Sequence, residues 1–211
     1  MSPSKPVLIV IAGPNGSGKT EITRILRTRY DWTEGLIEIN PDNIAQEQSG
    51  DWNDPAAVLM AARQADALRE GCLTRKEGLL FETVLSTPQK IDFISRAKSA
   101  GYFIRVIFVG TENPEINRVR VEWRVENGGH SVPLEKIISC YQRSMKLGIE
   151  AAKIADRAYF VDNSRDVNPD DVIGPFTVFR TINGTIAKTY VDQPSFPDCY
   201  LCSAAMITWT H

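Results

Sequence analysis

Short apolar runs alternate along this chain with longer stretches of helical periodicity. Val7-Leu8-Ile9-Val10-Ile11-Ala12 is an unbroken apolar run of strand length, as a strand covered on both faces requires. Ile22, Ile25 and Leu26 then fall on one side of a helix. Leu36 to Asn40 reads as a second strand, ended at Pro41-Asp42. Asp54-Pro55 opens a helix, with Asp as N-cap and Pro in the first turn; Val58, Leu59, Ala62 and Leu68 make its apolar side. Gly78 to Phe81 is a third strand, leading into Glu82-Thr83. Thr87-Pro88 starts a helix with Ile91, Ile94 and Ala97 inward, stopped by Gly101. Tyr102 to Val109 is a fourth strand. Asn113-Pro114 caps a helix running to Gly128-Gly129, another helix follows Pro133, and Ala158 to Val161 is a fifth strand.

Strands alternating with helices predict an α/β fold, a parallel five-stranded sheet with helices on both faces. The end of the chain changes pattern. Thr177 to Ile182 and Thr185 to Tyr190 flank Asn183-Gly184, the strongest short signal for a β-hairpin. The expected organisation is one domain over 1–174, an appended hairpin over 175–192 and an irregular tail over 193–211.

The loop after the first strand carries the chemistry. Gly13-Pro14-Asn15-Gly16-Ser17-Gly18-Lys19-Thr20 fits G-x-x-x-x-G-K-[ST] at every fixed position, between a strand and a helix. Its glycines permit the tight turn that aims backbone N–H groups at an anion, at the start of a helix. In such loops the lysine, here Lys19, reaches the β- and γ-phosphates, and the hydroxyl, here Thr20, sits on Mg²⁺. The expected fold is therefore a P-loop, nucleotide-kinase-like one, binding ATP with Mg²⁺.

Composition narrows the setting. The 211 residues carry a formal charge of −2, so no overall basic balance points to nucleic acid. No apolar run approaches the roughly 18 residues of a membrane span, and nothing before the first strand reads as a signal peptide, which points to the cytoplasm. Cys72, Cys140, Cys199 and Cys202 read as reduced thiols, because a zinc site at the final C-x-x-C lacks a second pair of ligands.

Ligands of such sheets bind at the carboxyl ends of the strands, which gathers Asn40-Pro41-Asp42, Glu82-Thr83 and Asp162-Asn163-Ser164 at the loop. Asp42 reads either as a general base for an attacking hydroxyl or as a helix N-cap. Glu82 is suited to Mg²⁺ through water or to a substrate hydroxyl, or is simply a glutamate at a strand end. Arg118, Arg120 and Arg124 share a helix; Arg120 and Arg124 are i,i+4 and fit a clamp on transferring phosphate. With Glu122 and Glu126 interleaved, the alternative is a solvated salt-bridged face. His130 reads as part of the turn after Gly128-Gly129. Asn163-Ser164-Arg165-Asp166 imitates the guanine-reading N-K-x-D of GTPase switches but lacks its lysine.

These positions together resemble the zeta toxin family of small-molecule kinases. The resemblance rests on the phosphate loop, Asn40-Pro41-Asp42, Phe81-Glu82-Thr83, the run from Arg120-Val121 through Arg124-Val125 to Gly128-Gly129-His130-x-Val132-Pro133, and Ala155 to Ala158 with Asp162-Asn163-Ser164. It implies transfer of the ATP γ-phosphate to the sugar 3′-hydroxyl of UDP-N-acetylglucosamine, and an antitoxin protein as partner. Through it Asp42 corresponds to the general base, Glu82 to the substrate-binding acid and Arg124 to a γ-phosphate clamp; Thr83 is a further substrate-binding candidate, Arg120 a further catalytic one and Asn163 a nucleotide-binding one. Two positions depart from the family pattern. Val84 stands where a threonine is usual, and Cys140 where an arginine is usual. Arg143, one turn after Cys140, is the expected stand-in for that arginine. An ATP-binding module without turnover is the competing reading.

Overall fold

The computed structural model describes residues 5–49, 54–129, 131–164 and 176–190. His130, the Arg165-Asp166 end of the GTPase-like match, Cys199, Cys202 and the tail over 193–211 lie outside the described residues.

Seven strands of the described residues form one sheet: β1 (Val7–Ala12), β2 (Ile37–Ile39), β3 (Leu79–Thr83), β4 (Phe103–Gly110), β5 (Arg157–Asp162), β6 (Phe176–Ile182) and β7 (Thr185–Thr189). Their order is β2-β3-β1-β4-β5-β6-β7. The first five run parallel, and β6 and β7 extend the sheet as an antiparallel pair. The register pairs Ala12 with Thr83 and with Phe108, and Gly110 with Asp162. The carboxyl ends of β1, β3, β4 and β5 thus lie along one edge.

Among the described residues six α-helices connect the parallel strands: α1 (Lys19–Arg29), α2 (Pro41–Ser49), α3 (Pro55–Arg75), α4 (Pro88–Ser99), α5 (Pro114–Glu126) and α6 (Leu134–Ile154). Alternate residues of β1 enter two cores. Leu8, Val10 and Ala12 pack with Phe81, Phe108 and Phe160 under α3, α4 and α6; Ile9 and Ile11 pack with Ile22 and Leu26 of α1. Phe160 stacks on Phe179 with ring centroids 4.3 Å apart, which joins the appended strands to the main core. Among the described residues no helix is long and apolar enough to cross a membrane.

The local signals act as their chemistry demands. Asp54 accepts from the Ala56 N–H, and Asn113 from the N–H groups of Glu115 and Ile116, each one residue before a proline. Asn183 and Gly184 both have positive φ, 49° and 77°, the geometry of the tight hairpin turn. Three expectations change. Glu82 and Thr83 belong to β3 itself, because their backbones pair with Ile11 and Ala12. A helix, α2, begins at Pro41, directly after β2. The buried side of α3 is Ala57, Ala61, Ala65, Arg69 and Cys72, whereas Leu59 and Leu68 are exposed. The small side chains of Ala57, Ala61 and Ala65 let this face of the helix pack inward, leaving Leu59 and Leu68 on the outer side.

Candidate active site

The phosphate loop sits at the end of β1, between β3 and β4, and leads into α1. Gly16 and Gly18 have φ of 77° and 92°, and a Cβ at either would lie 2.5 Å from the Asn117 carbonyl oxygen or 2.3 Å from the Asn163 amide nitrogen. Only glycine permits that backbone and that closeness. The same two asparagines brace the loop. Asn117 donates from Nδ2 to the Asn15 carbonyl at 2.6 Å and accepts from the Thr111 hydroxyl. Asn163 donates from Nδ2 to the Ser17 carbonyl at 2.8 Å. The first-turn N–H groups of α1 thereby face a cleft lined by Asn15, Gly16, Gly18, Lys19 and Thr20.

Lys19 donates to the carbonyls of Gly13 and Pro14, each at 2.9 Å. Desolvation lowers its pKa to about 8, against the opposing fields of Glu82 and Asp42, and Arg124 lowers it further. An anion in the loop would add to the counter-charge of Glu82 and Asp42. Thr20 donates to Glu82 Oε2 at 3.0 Å, and Thr23 to Glu82 Oε1 at 2.8 Å. Glu82 is buried at the end of β3. A hydroxyl joined to a carboxylate is a hard-oxygen pair, the donor chemistry Mg²⁺ takes beside phosphate oxygens. The residues present therefore fit a magnesium-bound triphosphate.

Asp42 is exposed on the rim of the cleft, at the second position of α2. The cap of α2 is Asn40, whose side chain accepts from the Asp42 N–H at 3.0 Å and whose carbonyl accepts from the Ile44 N–H. The capping alternative for Asp42 thus passes to its neighbour.

The three arginines of α5 divide. Arg118 is held by Glu115 and Glu122 on the outer face, the salt-bridged arrangement. Arg120 and Arg124 line the cleft, and Arg120 donates to the Asn163 carbonyl at 2.7 Å. Thr83 and Val84 line it as well; the Thr83 hydroxyl accepts from the Leu85 N–H at 3.0 Å. Pro14 and Ser17 shape the loop without lining the cleft, and Ser17 is buried. Arg143 stands outside the lining, with its guanidinium 3.3 Å from the sulfur of Cys140; it is Cys140 that borders the cleft. Asp156, which the resemblance included, ties strands together by accepting from the Ile104 N–H at 2.8 Å and pairing with Lys98.

The cleft has a volume of about 1240 Å³ and is lined by six cationic side chains against four carboxylates, in a chain of net charge −2. Three of its determinants escaped the sequence pattern. Asn117 is an ordinary helix residue until the fold brings it to the loop. Trp123 lies on the cleft between Arg120 and Arg124 and is two-thirds exposed. Arg69 interrupts the alanine stripe of α3, the one readable signal of the three.

A parallel sheet with a braced phosphate loop at its centre and a wide cleft above it defines the chain as a P-loop kinase-like protein. The chain belongs to the zeta toxin family, whose model matches residues 1–168. A Haemophilus influenzae protein described as uncharacterized is 30% identical over 124 residues, 59% of this chain and 84% of that one. Among solved structures, one of the PezAT chromosomal toxin-antitoxin system of Streptococcus pneumoniae shares the fold, with a TM-score of 0.57, 18% identity, and coverage of 82% of this chain and 76% of that chain. The AvrRxo1-ORF1:-ORF2 structure with ATP aligns with a TM-score of 0.65 at 18% identity; the match covers 87% of this chain but only 60% of that chain. Family and fold together support an ATP-dependent phosphotransferase.

Proposed function

We propose that this chain transfers the γ-phosphate of ATP to the sugar 3′-hydroxyl of UDP-N-acetylglucosamine. The observation that carries the reading is Asp42, a carboxylate at the rim of the phosphate-loop cleft in a helix capped by another residue. ATP supplies the phosphoryl group. Lys19 and the loop N–H groups would hold the β- and γ-phosphates, and Thr20 with Glu82 would hold Mg²⁺, which would neutralise charge on the phosphate oxygens. Asp42 orients the acceptor hydroxyl and takes its proton as the new O–P bond forms and the bond to the β-phosphate oxygen breaks. Arg124, with Arg120 anchored on Asn163, balances charge on the transferring group. Thr83 and Glu82, which line the cleft at the end of β3, are the proposed contacts for the acceptor. The setting is the cytoplasm, and an antitoxin protein covering the nucleotide cleft belongs to the same reading.

The test is purified protein with ATP, Mg²⁺ and UDP-N-acetylglucosamine, read by mass. One added phosphate on the sugar nucleotide is expected. Its absence, with another metabolite phosphorylated instead, rejects this acceptor. A second reading, an ATP-binding module without turnover, draws on Val84 and Cys140, which line the cleft where the family pattern has threonine and arginine. Intact ATP binding with no phosphorylated product in a metabolite extract would establish it.

A further inference from the structure

Among the described residues Arg69 has one charge partner, Asp66. It is 4% exposed, on the buried stripe of α3, and it lines the cleft. Its guanidinium lies over the Phe81 ring, 5.0 Å from the centroid. Nη2 donates to Asp66, but Nε and Nη1 have no acceptor among the described residues. Asp66 is a weak counter-charge, because it is largely exposed and shared with Lys90, whose Nζ is 2.7 Å away. One carboxylate therefore serves two cations, and the guanidinium on the cleft wall keeps donors for a further acceptor.

The start of α4 faces the same place. Ser86, Thr87 and Lys90 line the cleft. Thr87 is the N-cap of this 12-residue helix, and its side chain makes no capping hydrogen bond. A buried arginine fork, a lysine and a helix start whose cap hydroxyl makes no capping bond all present donors to one region. They stand on α3 and α4, elements that contribute nothing to the phosphate loop.

We propose that Arg69, Lys90 and the start of α4 form an oxyanion subsite for the phosphoryl acceptor, which therefore carries a phosphate or carboxylate besides the hydroxyl it offers to Asp42. Only the identity of the molecule bringing the anion rests on the kinase reading given above; the subsite is testable without turnover. Asp66 is the positioning residue, holding both cations on the cleft wall.

The experiment uses the whole chain loaded with Mg²⁺ and a non-hydrolysable ATP analogue, so that the phosphate loop is filled. Inorganic pyrophosphate and malonate are titrated separately by calorimetry. Pyrophosphate is expected to bind, and Arg69→Lys and Lys90→Met are each expected to weaken it at least about tenfold, from the loss of charge-assisted hydrogen bonds. Melting temperature and affinity for the ATP analogue should stay at wild-type values. In the transfer assay Lys90→Met should raise the KM for UDP-N-acetylglucosamine and leave the KM for ATP unchanged. No second binding event in the wild type, or wild-type binding in both variants, overturns the subsite. Malonate binding more tightly than pyrophosphate keeps the subsite and overturns a nucleotide sugar as its ligand. Pyrophosphate binding without any transfer to UDP-N-acetylglucosamine supports the subsite and refutes the acceptor proposed above.

Discussion

Nucleotide binding should draw a proton onto Lys19. Burial lowers its pKa to about 8, with Glu82 and Asp42 pulling the other way and Arg124 adding to the depression. At pH 8.5 about three quarters of the nucleotide-free protein therefore carries a neutral Lys19, and at pH 7 only about a tenth. A triphosphate placed against the ammonium reverses this, since nearby anions favour the charged form. ATP binding should thus take up about 0.7 proton at pH 8.5 and about 0.1 at pH 7. The sign for stability follows. A lysine whose folded pKa lies below its unfolded value of 10.5 penalises the nucleotide-free fold below about pH 8. That penalty fades as pH rises from about 8 towards 10.5. Calorimetry in two buffers of different ionisation enthalpy measures the uptake, and Lys19→Met should abolish it. No uptake at pH 8.5, or equal uptake in the variant, would refute the reasoning.

Three further substitutions probe other parts of the site. Asn117→Ala removes the donor to the Asn15 carbonyl; it should weaken ATP binding by about 5- to 30-fold, and an unchanged Kd would show that the loop holds itself. Arg124→Lys keeps the charge and loses the fork, so kcat should fall far more than ATP affinity; equal small changes in both would place Arg124 with Arg118 on the salt-bridged face. Val84→Thr restores a hydroxyl on the cleft wall and should lower the KM for UDP-N-acetylglucosamine by about 5- to 10-fold, whereas a rise would place the acceptor elsewhere.

The parts of the molecule encoded by near neighbours in sequence are the parts that could be read from it. The phosphate loop between an apolar run and an amphipathic helix, the Asp54 and Asn113 caps and the Asn183-Gly184 turn each act within a few residues. What escaped depends on residues far apart. Asn117 meets Asn15 across 102 positions, and Thr23 meets Glu82 across 59, so no local pattern marks either pair. Asp42 stayed undecided between cap and base because Asn40 and Asp42 both offer a capping side chain, and only the start of α2 decides which one is used. The misread side of α3 has another cause. Periodicity seeks large apolar residues, but this helix buries alanines and an arginine. Helical spacing does bring Arg143 to Cys140, but only Cys140 borders the cleft.

Asp42→Asn tests the central claim most directly. The amide keeps the size of the side chain, and the cap on Asn40 is untouched. The negative charge and the capacity to take a proton are lost. ATP, Mg²⁺ and UDP-N-acetylglucosamine are supplied to wild type and variant, and the rate of phosphate addition is read by mass. Turnover should fall at least about 100-fold, with the Kd for ATP and the melting temperature unchanged. A variant that turns over within a few-fold of wild type would contradict the account.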